Sequence, residues 1–204
     1  MRRSSIVGLL PSLTCGSGAK TGTVIVKTAL KHRLDNEREV LQYFQGRSCI
    51  RQLVDEIQEP AALVLEHLGD NLLNASNSKR LGRLDIKLVA KRVLEALNIF
   101  HEAGYVHTGT VHRFSQSNRL TITNAYRTVD VKPDNILVNY GDGPTRFSEV
   151  KLADCGDTYR VDPNADPKEG HIIGAAIFRS PEAMLNLKWG TPTDIWSFGA
   201  TVSD

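Results

Sequence analysis

The feature that most constrains the fold is a pair of short apolar segments, residues 136–138 and 150–153, on either side of a Gly-Asp-Gly-Pro sequence at residues 141–144. Val, Ile and Leu dominate both segments, and glycine and proline favour a turn between them, so two short strands are predicted. Asn135 precedes the first strand and Asp154 follows the second. Two polar side chains therefore stand at the ends of the two predicted strands.

Two earlier segments also predict strands. Residues 23–27 are mostly β-branched and follow a glycine-rich turn, and residues 61–65 are uniformly apolar. Both patterns favour strands, and the second favours a buried one.

Three segments predict helices. Apolar residues recur at helical spacing over residues 34–44 and again over residues 84–103, after which Gly104 predicts a C-terminal stop. Thr193-Asp194 predicts the cap of a last helix over residues 195–202. Combined with the strands, these helices predict an α+β protein in two lobes. The apolar positions that define the second helix are Leu84, Leu88, Val93, Leu94, Leu97 and Phe100.

The composition is that of a globular protein. Of 204 residues, 41% are hydrophobic and 24% are charged, and the formal net charge of +2 comes from interspersed acids and bases. No basic patch for nucleic acid or a membrane surface is therefore predicted. No apolar stretch approaches the length of a membrane span. The three cysteines lack metal-ligand spacing, which favours a reducing compartment, either cytoplasm or nucleus. No pattern indicates an oligomeric state.

Five short motifs follow one another in the second half of the chain. Residues 105–108 read Tyr-Val-His-Thr, and residues 130–135 read Asp-Val-Lys-Pro-Asp-Asn. Residues 150–156 read VKLADCG, residues 180–182 read Ser-Pro-Glu, and residues 194–199 read DIWSFG. In this order, the motifs resemble those of the eukaryotic protein kinase family. The amino-acid sequences of these motifs are similar to those of Ser/Thr kinases of filamentous fungi.

The resemblance covers roughly residues 23–202 and implies the two-lobed kinase fold. It implies a small lobe over about residues 1–65, a hinge over residues 66–70 and a large lobe over residues 71–204. Both lobes are expected to be incomplete, the small lobe because it is truncated and the large lobe because it ends within its central helix.

The resemblance also implies roles for four residues of the large lobe. Phosphoryl transfer depends mostly on positioning and charge stabilisation. Asp130 would orient the substrate hydroxyl, and Lys132 would face the γ-phosphate of ATP, as in Ser/Thr kinases. Asn135 and Asp154 would bind Mg²⁺, with phosphate and water oxygens completing its coordination.

Glu37 is the most informative residue of the small lobe. It lies on the apolar face of the helix predicted over residues 34–44, where a carboxylate is costly unless a positive group meets it. Lys27 is the obvious partner, and the pair resembles the family's ion pair that fixes the ATP phosphates. Glu66 and Leu68 match the hinge, whose backbone groups hold adenine.

Residues 109–129 interrupt the catalytic loop. They show no apolar period, and a structureless loop of about twenty residues within a compact domain is uncommon. We therefore treat the segment as an insertion and hypothesise that it is a retained intron in a conceptual translation, with a true surface insertion as the alternative. The family's glycine-rich phosphate cover is also expected to be missing or degenerate, and Gly16, Gly18 and Gly22 are predicted to form a turn.

Two functions follow from these patterns. The first is an ATP- and Mg²⁺-dependent Ser/Thr protein kinase that transfers the γ-phosphate to a hydroxyl of a protein substrate. The split loop and the missing phosphate cover favour inactivity of the chain as written. The alternative is a non-catalytic, kinase-like binding module. Catalytic ancestry is favoured by the retained site residues, because a pure scaffold has no need for that constellation. They are Lys27, Glu37, Asp130, Lys132, Asn135 and Asp154.

Overall fold

A computed structural model describes residues 5–9, 23–107, 131–161, 175–185 and 187–203. Asp130, the interruption at residues 109–129 and the predicted glycine turn lie outside the described residues. The described strands are β1 (Ser5–Leu9), β2 (Thr23–Lys27), β3 (Leu53–Ile57), β4 (Ala62–Glu66), β5 (Asp70–Asn71), β6 (Tyr105–Val106), β7 (Ile136–Tyr140), β8 (Phe147–Leu152) and β9 (Tyr159–Arg160). The described helices are α1 (Lys31–Tyr43), α2 (Leu72–Ser78), α3 (Arg83–Glu102), α4 (Pro181–Met184) and α5 (Pro192–Ser203).

The first half of the chain forms a four-stranded antiparallel sheet with α1 packed against it. The strand order is β1-β2-β4-β3. Lys27 at the end of β2 lies opposite Leu63 of β4. Leu34 and Leu41 of α1, and Phe44 directly after it, join the apolar core that Leu63 and Leu65 of β4 also enter. The predicted strands at 23–27 and 61–65 are confirmed, the second displaced by one residue.

The second half is built around a hairpin and a long helix. Strands β7 and β8 pair antiparallel, with Ile136 opposite Leu152, and the short strand β5 extends this sheet beside β7. The predicted hairpin around residues 141–144 is therefore confirmed. Helix α3 packs against β8 through a buried stripe of Val89, Val93, Ala96, Leu97 and Phe100.

Two residues expected on the apolar face of α3 are exposed instead, so the prediction was wrong for them. Leu84 and Leu94 are 56% and 41% exposed. Leu84 lies in the first turn of α3, ahead of the buried stripe, and Leu94 follows Val93 by one residue, which turns it about 100° away from that stripe. Gly104 has φ of 77°, so the predicted stop after α3 is confirmed by a left-handed glycine.

The start of α5 also differs from the prediction. The helix begins at Pro192, so Thr193 and Asp194 lie inside its first turn instead of capping it, and both are buried. Proline favours the first position of a helix because its fixed φ suits the helix and its missing N–H is not needed there. None of the described helices is both long enough and apolar enough to cross a membrane. The structure is α+β, as predicted; the boundaries of the lobes and of the hinge stay predictions.

Candidate active site

Lys27 joins three elements of the fold through two carboxylates. Its ammonium lies 2.5 Å from Glu37 Oε2 on α1 and 2.7 Å from Asp154 Oδ1, just after β8. Lys27 is 17% exposed, while Glu37 and Asp154 are buried. The ion pair inferred from a carboxylate on an apolar helix face is thus present. It forms across ten residues because α1 begins only four residues after β2 ends.

The electrostatics of this cluster keep Lys27 charged. Burial by itself lowers the pKa of the Lys27 ammonium, but the carboxylates of Glu37 and Asp154 outweigh burial and raise the pKa above its ordinary value. A permanently charged lysine in a largely buried position is suited to meeting an anionic ligand.

Asn135 and Asp154 lie beside the same cross-strand contact. Ile136 pairs with Leu152, and the N–H of Ala153 donates to the C=O of Asn135 at 2.9 Å. Asp154 has φ of 63°, a left-handed conformation that an Asp adopts more readily than most residues. A carboxylate and an amide oxygen held on adjacent backbone segments fit the hard ligand set of Mg²⁺.

The predicted catalytic loop is described from Val131 onward, and Asp130 lies outside the described residues. Val131 is buried, and its C=O accepts a hydrogen bond from the Thr201 hydroxyl of α5. Lys132, predicted to face the γ-phosphate, lies 3.0 Å from Asp134 Oδ2. Lys132 is therefore paired within the loop, and α5 supports the backbone beside Asp130.

The two predicted hinge residues differ in how their backbones are engaged. The N–H of Glu66 donates to Gln52 C=O at 3.0 Å, and the C=O of Glu66 accepts from Arg51 Nε at 2.8 Å. The Glu66 carboxylate receives Lys151 Nζ at 2.5 Å. Leu68 is buried, and among the described residues its backbone makes no hydrogen bond. Among the described residues, the backbone of Glu66 is therefore engaged and that of Leu68 is not.

Asp194 connects α5 to the segment that leads into the catalytic loop. Its Oδ2 accepts the backbone N–H of His107 at 2.8 Å and lies 2.8 Å from His101 Nε2. His107 in turn donates from Nε2 to the C=O of Ala153 at 3.1 Å. Sequence patterns located Asp194 in a motif but did not reveal this contact.

Three further residues near the Lys27 cluster were not identified from the sequence: Arg33 and Asn36 on α1, and Asp157. Arg33 contacts Asp157 through one hydrogen bond and one ion-pair contact, and Asn36 donates to the backbone after Asp154. Arg33 stands four residues before Glu37, one turn away on the same helix face. That spacing is the signal that could have pointed to it.

Asp157 gives the site a testable pH dependence. Burial raises the pKa of Asp157 from 3.8 to about 6, against the opposing charge of Arg33 and with a further contribution from Asp154. The folded chain holds this proton to higher pH than the unfolded chain does. The stability that Asp157 contributes is therefore present in acid and is lost as the pH rises through about 6.

We expect the unfolding free energy of the wild type, relative to Asp157→Asn, to fall by about 3 kcal/mol as the pH rises from about 3.5 to about 7. Urea titrations of both proteins at several pH values measure this difference. A difference that stays constant or rises with pH would contradict the assignment.

Comparison with known proteins gives the family. No protein-family model matches the chain, but curated proteins do. The chain is 28% identical over 178 residues to the serine/threonine-protein kinase PAK 4 of Homo sapiens, covering 86% of this chain and 25% of that protein. It is 25% identical over 173 residues to the Rho-associated protein kinase let-502 of Caenorhabditis briggsae, covering 81% and 12%. It is 30% identical over 141 residues to the serine/threonine-protein kinase PAK mbt of Drosophila melanogaster, covering 69% and 18%.

The chain thus spans a quarter or less of the length of these relatives. The matching proteins carry kinase names, and Asp154 of the kinase-like motifs contacts Lys27, which Glu37 also contacts. The chain therefore belongs to the eukaryotic protein kinase family and is similar to its Ser/Thr members.

Proposed function

We propose that this chain is a Ser/Thr protein kinase that uses ATP and Mg²⁺ to phosphorylate a hydroxyl of a protein substrate. The observation that carries the proposal is the contact of Lys27 with both Glu37 and Asp154. The charged side chain of Lys27 extends from the first sheet and contacts both α1 and the residues just after β8. A pure scaffold gains little from such a cluster, whereas phosphoryl transfer needs a fixed cation beside an oxygen ligand for a metal ion.

Each site residue then has one task. Lys27, oriented by Glu37, meets the ATP phosphates. Asn135 and Asp154 would hold Mg²⁺, which would supply positive charge to offset the charge that develops on the phosphate oxygens. Leu68 offers its backbone to adenine, and Glu66, whose backbone groups are already hydrogen-bonded, fixes the hinge beside it.

The proposed transfer step is a single displacement at the γ-phosphorus. The oxygen of the substrate hydroxyl forms a bond to phosphorus, and the bond from phosphorus to the bridging oxygen breaks, releasing ADP. Asp130 accepts the hydroxyl proton, and Lys132 offsets negative charge on the transferred group. A lysine two residues after the aspartate resembles Ser/Thr kinases, so we propose serine and threonine as the acceptors.

Binding of Mg-ATP is the first test. At ten times its dissociation constant, Mg-ATP should raise the Tm of the wild type by about 3–6 °C, because a ligand that binds only the folded state stabilises it. Asp154→Asn should lose the Mg²⁺-dependent part of this shift. Asp142→Asn, on the exposed turn after β7, is the matched control and should retain it. The absence of any shift in the wild type would contradict the proposal.

Transfer is measured in the same proteins with radiolabelled ATP and a library of peptides that contain Ser and Thr. A second chain that lacks residues 109–129 joins Thr108 directly to Asp130. Transfer by either chain, abolished by Asp154→Asn, supports the kinase proposal. Binding of Mg-ATP without transfer by either chain would favour the kinase-like binding module.

A further inference from the structure

Helix α1 touches the active site through more than Glu37. Arg33 lies one turn before Glu37 and contacts Asp157 through two nitrogens on one edge of its guanidinium. Its Nε is 3.0 Å from Asp157 Oδ1, and its second terminal nitrogen is 2.7 Å from Oδ2. Such a two-point contact fixes the orientation of both groups, because the planar guanidinium matches the carboxylate in only a few geometries.

Asn36 makes a second connection from α1 to the same segment, residues 154–158. Its side-chain amide donates to the carbonyl oxygens of Gly156 at 3.1 Å and Thr158 at 3.0 Å, with a longer contact to that of Cys155 at 3.4 Å. The N–H of Thr158 also donates back to Cys155 C=O at 3.1 Å. Asn36 is therefore hydrogen-bonded to a tight turn of the backbone that directly follows Asp154.

Segment 154–158 lies close to α1. A Cβ added at Gly156 would lie 3.4 Å from Glu37 Oε2 and 3.5 Å from the C=O of Arg33. These are ordinary van der Waals distances, so about the width of one methyl group separates the two segments. The position of α1 and the position of Asp154 are therefore set together.

The two halves of α1 are held in different ways. Its C-terminal half is fixed by the apolar core through Val40, Leu41 and Phe44. At its N-terminus, Leu30 supplies no side-chain cap and the first turn has no acidic residue. In the N-terminal half, Leu34 enters the core, Glu37 pairs with Lys27, and Arg33 and Asn36 add polar contacts to segment 154–158.

We propose that Arg33, Asn36 and Asp157 are positioning residues that hold the N-terminal half of α1 against segment 154–158, so that Glu37 and Asp154 meet Lys27 before any ligand binds. The proposal rests on the proposed function for its effect on ATP. Its effect on α1 is independent of ATP. A buried ion pair stabilises a fold only weakly, so its value here lies in fixing one arrangement.

The first experiment measures the placement of α1 without a nucleotide. Amine labelling of the folded protein, followed by mass spectrometry, reports how accessible Lys27 is. Arg33→Met should raise the labelling rate of Lys27 about fivefold or more, because local opening of α1 exposes the ammonium. The matched control is Arg38→Met, an arginine on the same helix that pairs with Asp35 and Glu56. It should leave the labelling rate unchanged.

The second experiment compares two ligands. Arg33→Met should raise the Kd for Mg-ATP about tenfold, as loss of a partner behind a metal ligand usually does. The Kd of the variant for adenosine should stay within about twofold of the wild-type value. Adenosine lacks the phosphates that Lys27 and Asp154 are proposed to help bind. A general loss of folding would weaken both ligands equally.

A double-mutant cycle decides whether the residues act together. If Arg33 and Asp157 work as one pair, Arg33→Met combined with Asp157→Asn should raise the Kd for Mg-ATP no more than the stronger single variant does. Additive losses, or a Lys27 labelling rate that Arg33→Met leaves unchanged, would overturn the proposal. If the wild type binds no Mg-ATP but Arg33→Met still exposes Lys27, the proposed function fails and the positioning role stands.

Discussion

Replacing Lys27 with methionine should lower the free energy of unfolding by about 3–5 kcal/mol, since removing one partner of a buried ionic cluster leaves the others uncompensated. Methionine keeps most of the volume of the side chain but none of its charge. Glu37 would remain on the apolar face of α1, and Asp154 would remain beside it, both buried. Arg33 lies 3.9 Å from Asp154 Oδ1 and can offset only part of this negative charge.

Urea denaturation of the wild type and of Lys27→Met measures the loss. The matched control is Lys31→Met, a lysine that is 84% exposed and pairs with Asp35. An exposed pair of this kind contributes little, so the control should change the free energy of unfolding by less than about 0.5 kcal/mol. A loss below about 1 kcal/mol for Lys27→Met would show that the cluster is solvated.

A double variant separates lost charge from lost packing. Lys27→Met combined with Glu37→Gln removes one of the two uncompensated carboxylates. We expect it to recover about half of the stability that Lys27→Met loses, because a neutral amide is far less costly to bury than a carboxylate. If the double variant is less stable than Lys27→Met, packing around the lysine stem dominates instead.

The Lys27–Glu37 contact shows how far local sequence reasoning reaches. A carboxylate at Glu37 interrupts an apolar stripe, and a charge on a buried face needs a partner. Lys27 was the predicted partner of Glu37 because it lies at the end of the nearest predicted strand along the chain. The hairpin between β7 and β8 was predictable for a similar reason, because its turn residues and its apolar strands are neighbours along the chain.

The contacts that were missed join distant parts of the chain. Arg33 and Asp157 are separated by 124 residues, and Asn36 reaches Thr158 across 122 residues. Polar side chains at the edge of a helix face are compatible with solvent or with a buried partner, and only the packing of α1 on segment 154–158 decides between them. Leu94 illustrates the same limit, because the helical period of α3 does not determine whether Val93 or Leu94 meets the core.

Asp194→Ala is the second substitution with a large expected effect, about 3–5 kcal/mol of unfolding free energy. The carboxylate is fully buried and serves both the backbone N–H of His107 and Nε2 of His101. Hydrogen bonds to a charged acceptor each contribute about 1.5–3 kcal/mol, and His107 would keep a buried N–H without its acceptor. Asp194 also lies in the first turn of α5, where a negative charge interacts favourably with the helix dipole.

Asp194→Asn is the informative companion, because it keeps one acceptor oxygen for His107 and removes only the charge. Its loss should be about 1–2 kcal/mol. Glu102→Ala, next to His101 but on the exposed side of α3, should cost less than about 0.5 kcal/mol. Equal losses for alanine and asparagine would mean that the charge alone matters.

Asp194→Ala should also weaken the binding of Mg-ATP. Asp194 fixes the backbone of His107, and the His107 ring holds the C=O of Ala153, the residue before Asp154. Releasing His107 removes a support of the proposed Mg²⁺ ligand, so the Kd for Mg-ATP should rise about tenfold at a temperature where the variant is still folded. Unchanged affinity in the folded variant would show that pairing between β7 and β8 is sufficient to place Asp154. In that case Asp194 would stabilise the fold without shaping the site.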